Sequence, residues 1–256
     1  MHSLGHTRST RRADHVLLTP DTFVRAPLPG MERCTAIVHA GPGLGSAFTQ
    51  YTAEFEAGGL LGDARRQRFL YVLDGSIRVE TNEQQAELGP RGYAYLPEGL
   101  AHRVTGARES RVTVIEKTYE PLESGELPEL ILSCEDAVKA HPLSGNSDLQ
   151  VKCLLPEAPS FDFAVNVMTY QPGAALSMVE MHVMEHGLLM LQGGGIYRLG
   201  DSWYPVAAGD FIWMAPWCPQ WFGAIGKVPA KYLIYIDWNR HPLRAEAQPQ
   251  ERRLRL

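Results

Sequence analysis

The sequence predicts an all-β protein made of two tandem barrels, and two observations lead to that reading. Short runs rich in Val, Ile, Leu, Tyr and Trp, among them Phe69 to Leu73, Arg111 to Ile115 and Lys231 to Ile236, alternate with turns supplied by 24 Gly and 18 Pro. That spacing is the pattern of many short strands in a sandwich or barrel. The second observation is an internal repeat. Arg68-Phe-Leu-Tyr-Val-Leu-Asp-Gly75 parallels His186-Gly-Leu-Leu-Met-Leu-Gln-Gly193, and Leu96-Pro-Glu-Gly-Leu-Ala-His102 parallels Met214-Ala-Pro-Trp-Cys-Pro-Gln220, both at an offset of 118 residues. Two motifs that keep one offset mark two copies of one fold. Glu120-Pro-Leu122 and His241-Pro-Leu243 end the copies alike. Each copy is small and β-rich, so closure into a barrel removes edges that would invite aggregation.

The elements follow in chain order. Residues 1–122 read as an N-terminal barrel with a leading arm, 123–147 as a linker and 148–256 as a C-terminal barrel. The stretch from Glu120 to Ser147 is rich in Pro, Glu, Ser and Gly and lacks a sustained apolar period, which is linker chemistry. Within it, Glu135 to Ala140 is long enough for a turn or two of helix. The C-terminal Glu251-Arg-Arg-Leu-Arg-Leu256 reads as a solvated terminus.

Composition narrows the class of partner. An apolar fraction of 45% suffices for a buried core, and a net charge of −5, spread along the chain, gives no footprint for nucleic acid or an anionic membrane. A small-molecule substrate fits better. Cys34, Cys134, Cys153 and Cys218 are scattered, without a C-x-x-C pair, and read as ordinary buried thiols rather than a thiolate zinc knuckle or a disulfide framework. Met1 to Asp14 contains no apolar leader core, and no run approaches the length of a membrane span. The expectation is a cytoplasmic protein, and the edges of paired barrels point to a homo-oligomer.

The densest chemistry lies in Ser177-Met-Val-Glu-Met-His-Val-Met-Glu-His-Gly187. In a continuous strand Glu180, His182 and His186 share one face, while Glu185 points the other way as a surface or packing residue. A carboxylate and two imidazoles on one apolar strand are costly to bury unless they hold a metal. The repeat supplies a fourth donor, Gln220, at the position of His102 in the first copy. In that first copy, Gly62, Ala64 and Arg68 stand where the other donors would be, so its barrel reads as structural and His102 as a hydrogen-bonded core residue. Two imidazoles, a carboxylate and an amide without thiolate suit an octahedral first-row ion, Mn2+ first, with Fe2+ or Ni2+ also compatible. Trp213, Trp217, Trp221 and Phe222 read as core and cavity wall.

Glu180, His182, His186 and Gly193 follow the spacing of the first cupin motif with the ligand types permuted, and Ala215, Trp217 and Gln220 fall on the second. Pro97, Gly99 and His102 complete that second motif in the N-terminal copy. The chain therefore resembles a bicupin, two tandem cupin barrels of the double-stranded β-helix or jelly-roll kind. The resemblance narrows along Glu180 to Gly187, Gly195-Ile-Tyr-Arg-Leu-Gly200, Trp203-Tyr-Pro-Val206, Ile212-Trp-Met-Ala-Pro216 and Pro219-Gln-Trp221, which are similar to the (S)-ureidoglycine aminohydrolase family. It extends more weakly through Leu18 to Asp21 and Phe69 to Pro97.

The resemblance implies a manganese-dependent enzyme of purine and allantoin breakdown, releasing ammonia from (S)-ureidoglycine to give (S)-ureidoglycolate. It implies that Glu180, His182, His186 and Gln220 hold the metal, with Glu180 also catalytic in proton transfer. Tyr197 and Tyr232 match substrate-contacting tyrosines. The family's Lys, four residues after the second tyrosine, is Ile236 here. That departure keeps two other readings in view: a metal-dependent cupin enzyme acting on a related ureido or amino compound, and a non-catalytic small-molecule-binding bicupin.

Overall fold

The computed structural model describes residues 6–122 and 125–240; the Arg-rich tail and the His241-Pro-Leu243 repeat lie outside them. Among the described residues the chain is almost wholly strand, with only three one-turn 3-10 segments, one of them Glu135–Ala137 where helical turns were expected. It divides into two β-rich units, and each has its own core. None of the described helices is long and apolar enough to cross a membrane.

The unit Phe23–Val138 is a nine-stranded antiparallel sheet that curls on itself. Its longest strand, Thr49–Leu61, pairs through its first half with Ser110–Lys117 and through Leu60 and Leu61 with His102–Gly106. The bend between these partners falls at Gly58 and Gly59. Gly58 has φ +72, and a Cβ on Gly59 would sit 2.2 Å from the carbonyl oxygen of Arg33, so the corner requires glycine. Val72, Val79, Ala94, Val112 and Val114, all shielded from solvent, fill the interior.

The other unit comprises 1–22 and 139–256. An eight-stranded sheet includes, in order, His15–Leu18, Phe211–Met214, His186–Gln192, Ala230–Asp237, Phe163–Tyr170 and Asn146–Cys153. A three-stranded sheet orders Ser202–Ala207, Gly194–Leu199 and Gln220–Ala224. Leu188, Met190 and Ile212 of the first sheet meet Tyr197, Leu199 and Phe222 of the second in one apolar cluster. The repeat is visible strand by strand: His102–Gly106 corresponds to Gln220–Ala224, and Ile77–Thr81 to Gly194–Leu199. Gly75 and Gly193, the repeat's paired glycines, both take positive φ (+76 and +65) as the chain turns out of Gln67–Asp74 and His186–Gln192. A Cβ on Gly75 would lie 2.1 Å from Glu109 O, and one on Gly193 2.6 Å from Pro229 O.

Two boundaries differ from the sequence expectation. The leading arm, expected with the N-terminal barrel, packs in the C-terminal unit: His15–Leu18 pairs with Phe211–Met214, and Arg8 places Nη2 2.9 Å from Asp210 Oδ1. Val16 and Leu17 are buried there, and four residues are too few for periodicity to announce a strand. The expected linker also carries structure. Ile131–Cys134 pairs with Gly92–Leu96, His141–Leu143 pairs with Asn146–Cys153, and buried Glu135 accepts a hydrogen bond from Tyr71 Oη at 2.6 Å. Its polar composition conceals edge strands, which need only one apolar face. All four cysteines are free, Cys34 and Cys218 buried and Cys134 and Cys153 partly so.

Candidate metal centre

The segment leading into the strand His186–Gln192 is an irregular loop that borrows its order from a neighbouring strand. Ala175 bridges Gly223 and Glu180 bridges Gln220. The backbone N–H groups of Glu180 and Gln220 each donate to the other's carbonyl at 2.8 Å. The His182 carbonyl accepts from Trp217 N at 2.8 Å, and the Glu185 carbonyl from Asp237 N at 3.1 Å. Four points thus fix the loop, two of them, at Ala175 and Glu180, on the strand Gln220–Ala224. The expected continuous strand is absent, so side-chain parity does not bring the donors together. The loop brings the side chains of His182, His186 and Gln220 together, whereas Glu180 is tied to Gln220 through its backbone and its carboxylate does not lie within 4.8 Å of both imidazoles.

His186 opens its strand almost fully buried, opposite Met214 on one side and Ile236 on the other. Its Nδ1 is 3.1 Å from the carbonyl oxygen of Tyr235. A carbonyl can only accept, so Nδ1 carries the proton and Nε2 presents a lone pair. That Nε2 is 3.3 Å from Nε2 of His182, which in turn is 2.9 Å from Nε2 of Gln220. Gln220 Oε1 accepts from Tyr197 Oη at 3.2 Å. Both imidazole Nε2 atoms act as acceptors in this arrangement, so two lone pairs converge on one space, which a bound cation would relieve. Turning the Gln220 amide over would bring Oε1 beside the imidazoles and give its N–H to the Tyr197 oxygen. The residues present therefore fit a divalent first-row ion.

Electrostatics agree with a dry pocket. Burial pushes the His186 imidazole down to about 3, with the neighbouring His182 adding to the effect and the bond to Tyr235 opposing it. Burial also raises the Glu180 carboxyl above its ordinary range. The phenols of Tyr170, Tyr197 and Tyr232 are all raised by burial first, and each also feels the charge of Glu180. Glu180 thus borders a cluster of three tyrosines, with Tyr170 and Tyr232 hydroxyls 2.8 Å apart. Tyr170 is a member of this cluster that the sequence reading missed. Its only signal is its place as the last, buried residue of Phe163–Tyr170.

Three further placements differ from expectation or refine it. Glu185, expected at the surface or in packing, is buried and accepts from the Trp213 indole N–H at 2.7 Å. Trp217, expected in the wall, is 51% exposed, whereas Trp213 and Phe222 are buried. Ile236 is buried on the same strand as Tyr232 and Ile234, so an apolar side chain stands beside His186 where the resemblance leads one to expect a cation.

Comparison with known proteins gives the same architecture. Residues 166–236 match the cupin domain family and residues 43–119 the EutQ-like cupin domain family. A probable (S)-ureidoglycine aminohydrolase of Oryza sativa subsp. japonica is 40% identical over 93% of this chain and 78% of its own length. The (S)-ureidoglycine aminohydrolase of Escherichia coli K12 is 30% identical over 93% of each chain. The chain belongs to the (S)-ureidoglycine aminohydrolase family. Among solved structures, a glyoxylate-induced protein of Pseudomonas aeruginosa superposes with a TM-score of 0.85 at 27% identity, covering 94% of both chains. The cupin fold is consistent with a bound metal ion.

Proposed function

We propose that this chain is a manganese-dependent aminohydrolase that releases ammonia from (S)-ureidoglycine to give (S)-ureidoglycolate in purine and allantoin breakdown. The observation that carries the proposal is the convergence of His182, His186 and the Gln220 amide, with Glu180 bridged to Gln220, inside a family whose relatives bear that activity in their names. In this reading Glu180, His182, His186 and Gln220 hold the ion. A divalent ion there supplies Lewis acidity and a more acidic bound water.

The residues then divide the remaining work. The substrate carbon bears an amine, a ureido nitrogen and a carboxylate; its bond to the amine breaks, a bond to hydroxyl forms, and ammonia leaves. Glu180, with its carboxyl raised by burial, takes the proton from water and returns it to the departing amine. Tyr197 and Tyr232 line the substrate side, and Tyr197 also holds the Gln220 amide. We place the enzyme in the cytoplasm, acting on a small molecule rather than nucleic acid or membrane. We further propose that it self-associates, with Met178, Met181 and Trp217, all exposed beside the centre, among the apolar residues available for contact.

Ammonia release from freshly generated (S)-ureidoglycine by the manganese-loaded protein, beside a His182→Ala variant, tests the proposal. Rapid release by wild type alone supports it. A second reading, favoured by Ile236, is the same chemistry on a related ureido or amino compound that needs no cation at that wall. Metal bound stoichiometrically without ammonia release would select this second reading.

A further inference from the structure

A second group of potential metal donors lies in the same unit, outside the centre just described, and the tertiary structure alone assembles it. Asp14, His15 and Cys218 bring a carboxylate oxygen, an imidazole nitrogen and a thiol sulfur within 4.8 Å of one another. Their backbones are fixed. Pairing of His15 with Met214 holds the strand His15–Leu18, and the Asp14 carbonyl accepts from Ala215 N at 2.9 Å. The following turn, with Trp217 at φ +66, carries Cys218 back beneath that strand, and Gly200 N donates to Pro219 O at 2.8 Å.

The side chains are organised as a ligand set. His15 Nδ1 is 2.8 Å from Asp14 Oδ1, while Nε2 is 2.9 Å from Tyr204 Oη. The carboxylate can only accept, so without metal Nδ1 carries the proton and Nε2 accepts from Tyr204; an ion entering at Nδ1 would move that proton to Nε2, which would then donate to the Tyr204 oxygen, the arrangement that orients metal-bound imidazoles. The thiol and imidazole are buried, and the Asp14 side chain, 43% exposed, forms the opening. Gly200 (φ +56) makes room for the carboxylate, since a Cβ there would stand 2.8 Å from Asp14 Oδ2. Sulfur, nitrogen and oxygen donors with a fourth position open suit a borderline-soft ion.

We propose that Asp14, His15 and Cys218 form a second divalent-metal site, of the zinc class, distinct from the thiolate-free centre at His182 and His186. On binding, Cys218 releases its thiol proton and coordinates as thiolate. The ion would clamp the N-terminal arm to the turn that leads, two residues later, into Gln220. The sequence reading set the cysteines aside because they lack C-x-x-C spacing; these donors come from opposite ends of the chain.

The test is titration of the metal-free full-length protein with Co2+. Only a thiolate ligand produces sulfur-to-cobalt charge-transfer absorption in the near ultraviolet, and the other centre has no sulfur. The band is expected in wild type, retained in a His182→Ala/His186→Ala double variant and lost in Cys218→Ser, with zinc content of Cys218→Ser lower by about one equivalent per chain. Absence of the band in cobalt-saturated wild type, or its survival in Cys218→Ser, overturns the site and leaves the group as a hydrogen-bonded dock for the arm. If Cys218→Ser does not fold, His15→Gln takes its place as the variant in which the band must disappear.

Discussion

The Nε2 atoms of His182 and His186 lie 3.3 Å apart. The proton on His186 Nδ1 is committed to the Tyr235 carbonyl at 3.1 Å, so the nitrogen facing His182 is a lone pair. Burial holds that imidazole neutral far below its ordinary range. His186 is therefore kept in the protonation state that metal binding requires, with no proton to displace from its inward-facing nitrogen.

His182→Ala and His186→Ala are each expected to remove an inward-facing nitrogen and leave the fold standing. Bound manganese should fall well below one per chain and ammonia release by at least about 100-fold. Metal analysis after gel filtration and a coupled ammonia assay check both.

Tyr197→Phe removes the hydroxyl that holds the Gln220 side chain at 3.2 Å. Its ring packing on Phe222 stays. Metal affinity should weaken by about 10- to 100-fold, the usual effect of losing a group that orients a ligand. Competition with a chelator measures it.

Glu180→Gln keeps the side-chain shape and an oxygen donor but removes the titrating carboxyl. Turnover is expected to drop by about 10²- to 10⁴-fold in protein that still binds metal. Full turnover in a metal-loaded variant would remove Glu180 from proton transfer and leave it a ligand only.

Stability of the unit Phe23–Val138 should depend on pH through His39. This imidazole is buried, 2.8 Å from the Thr52 hydroxyl, and burial with help from the Arg111 charge pushes it down to about 3. Its folded pKa lies below the unfolded value of about 6.5, so the unfolded chain takes up the proton first as pH falls. The contribution of neutral His39 is complete above about pH 6.5 and is lost between about 6.5 and 3, at about 1.4 kcal/mol per pH unit. Denaturant unfolding from pH 7 to 4 should show a shallower slope for His39→Gln than for wild type.

Arg68→Met tests the internal cation of the N-terminal barrel. Arg68, the repeat partner of His186, is buried and donates to Glu116 Oε1 at 2.9 Å, Gly62 O at 2.8 Å and His102 Nε2 at 3.1 Å. A guanidinium thus sits where the repeat would place a metal ligand, and His102 is held by it and by Leu100 O at 2.7 Å. Removing it strips Glu116 of its cation and leaves the Tyr51 hydroxyl, at 2.8 Å, as a neutral partner, which should cost about 3–5 kcal/mol, read by thermal or denaturant unfolding. Manganese stoichiometry should not change.

Much of this protein was legible in its sequence, for definable reasons. Strand and turn chemistry are local, so the all-β class was readable from Val, Ile and Tyr runs punctuated by glycine and proline. The duplication was readable because barrels that close alike repeat their special positions: Gly75 and Gly193 both occupy positive-φ turns that a side chain would obstruct. The donor types at 180, 182, 186 and 220 were likewise present as residue identities. Their assembly was not, because the chain before His186 is a loop whose course is set by its bridge to Gln220 rather than by alternation along a strand. The same holds for His15–Leu18, whose partner strand lies at Phe211–Met214, and for Glu185, whose burial depends on the indole of Trp213. Which side chains exist, and how often the fold repeats, are written in the order of the residues alone. Tertiary structure decided which of them meet, since pairing between distant strands is chosen by the whole packed barrel and leaves no period in any one segment.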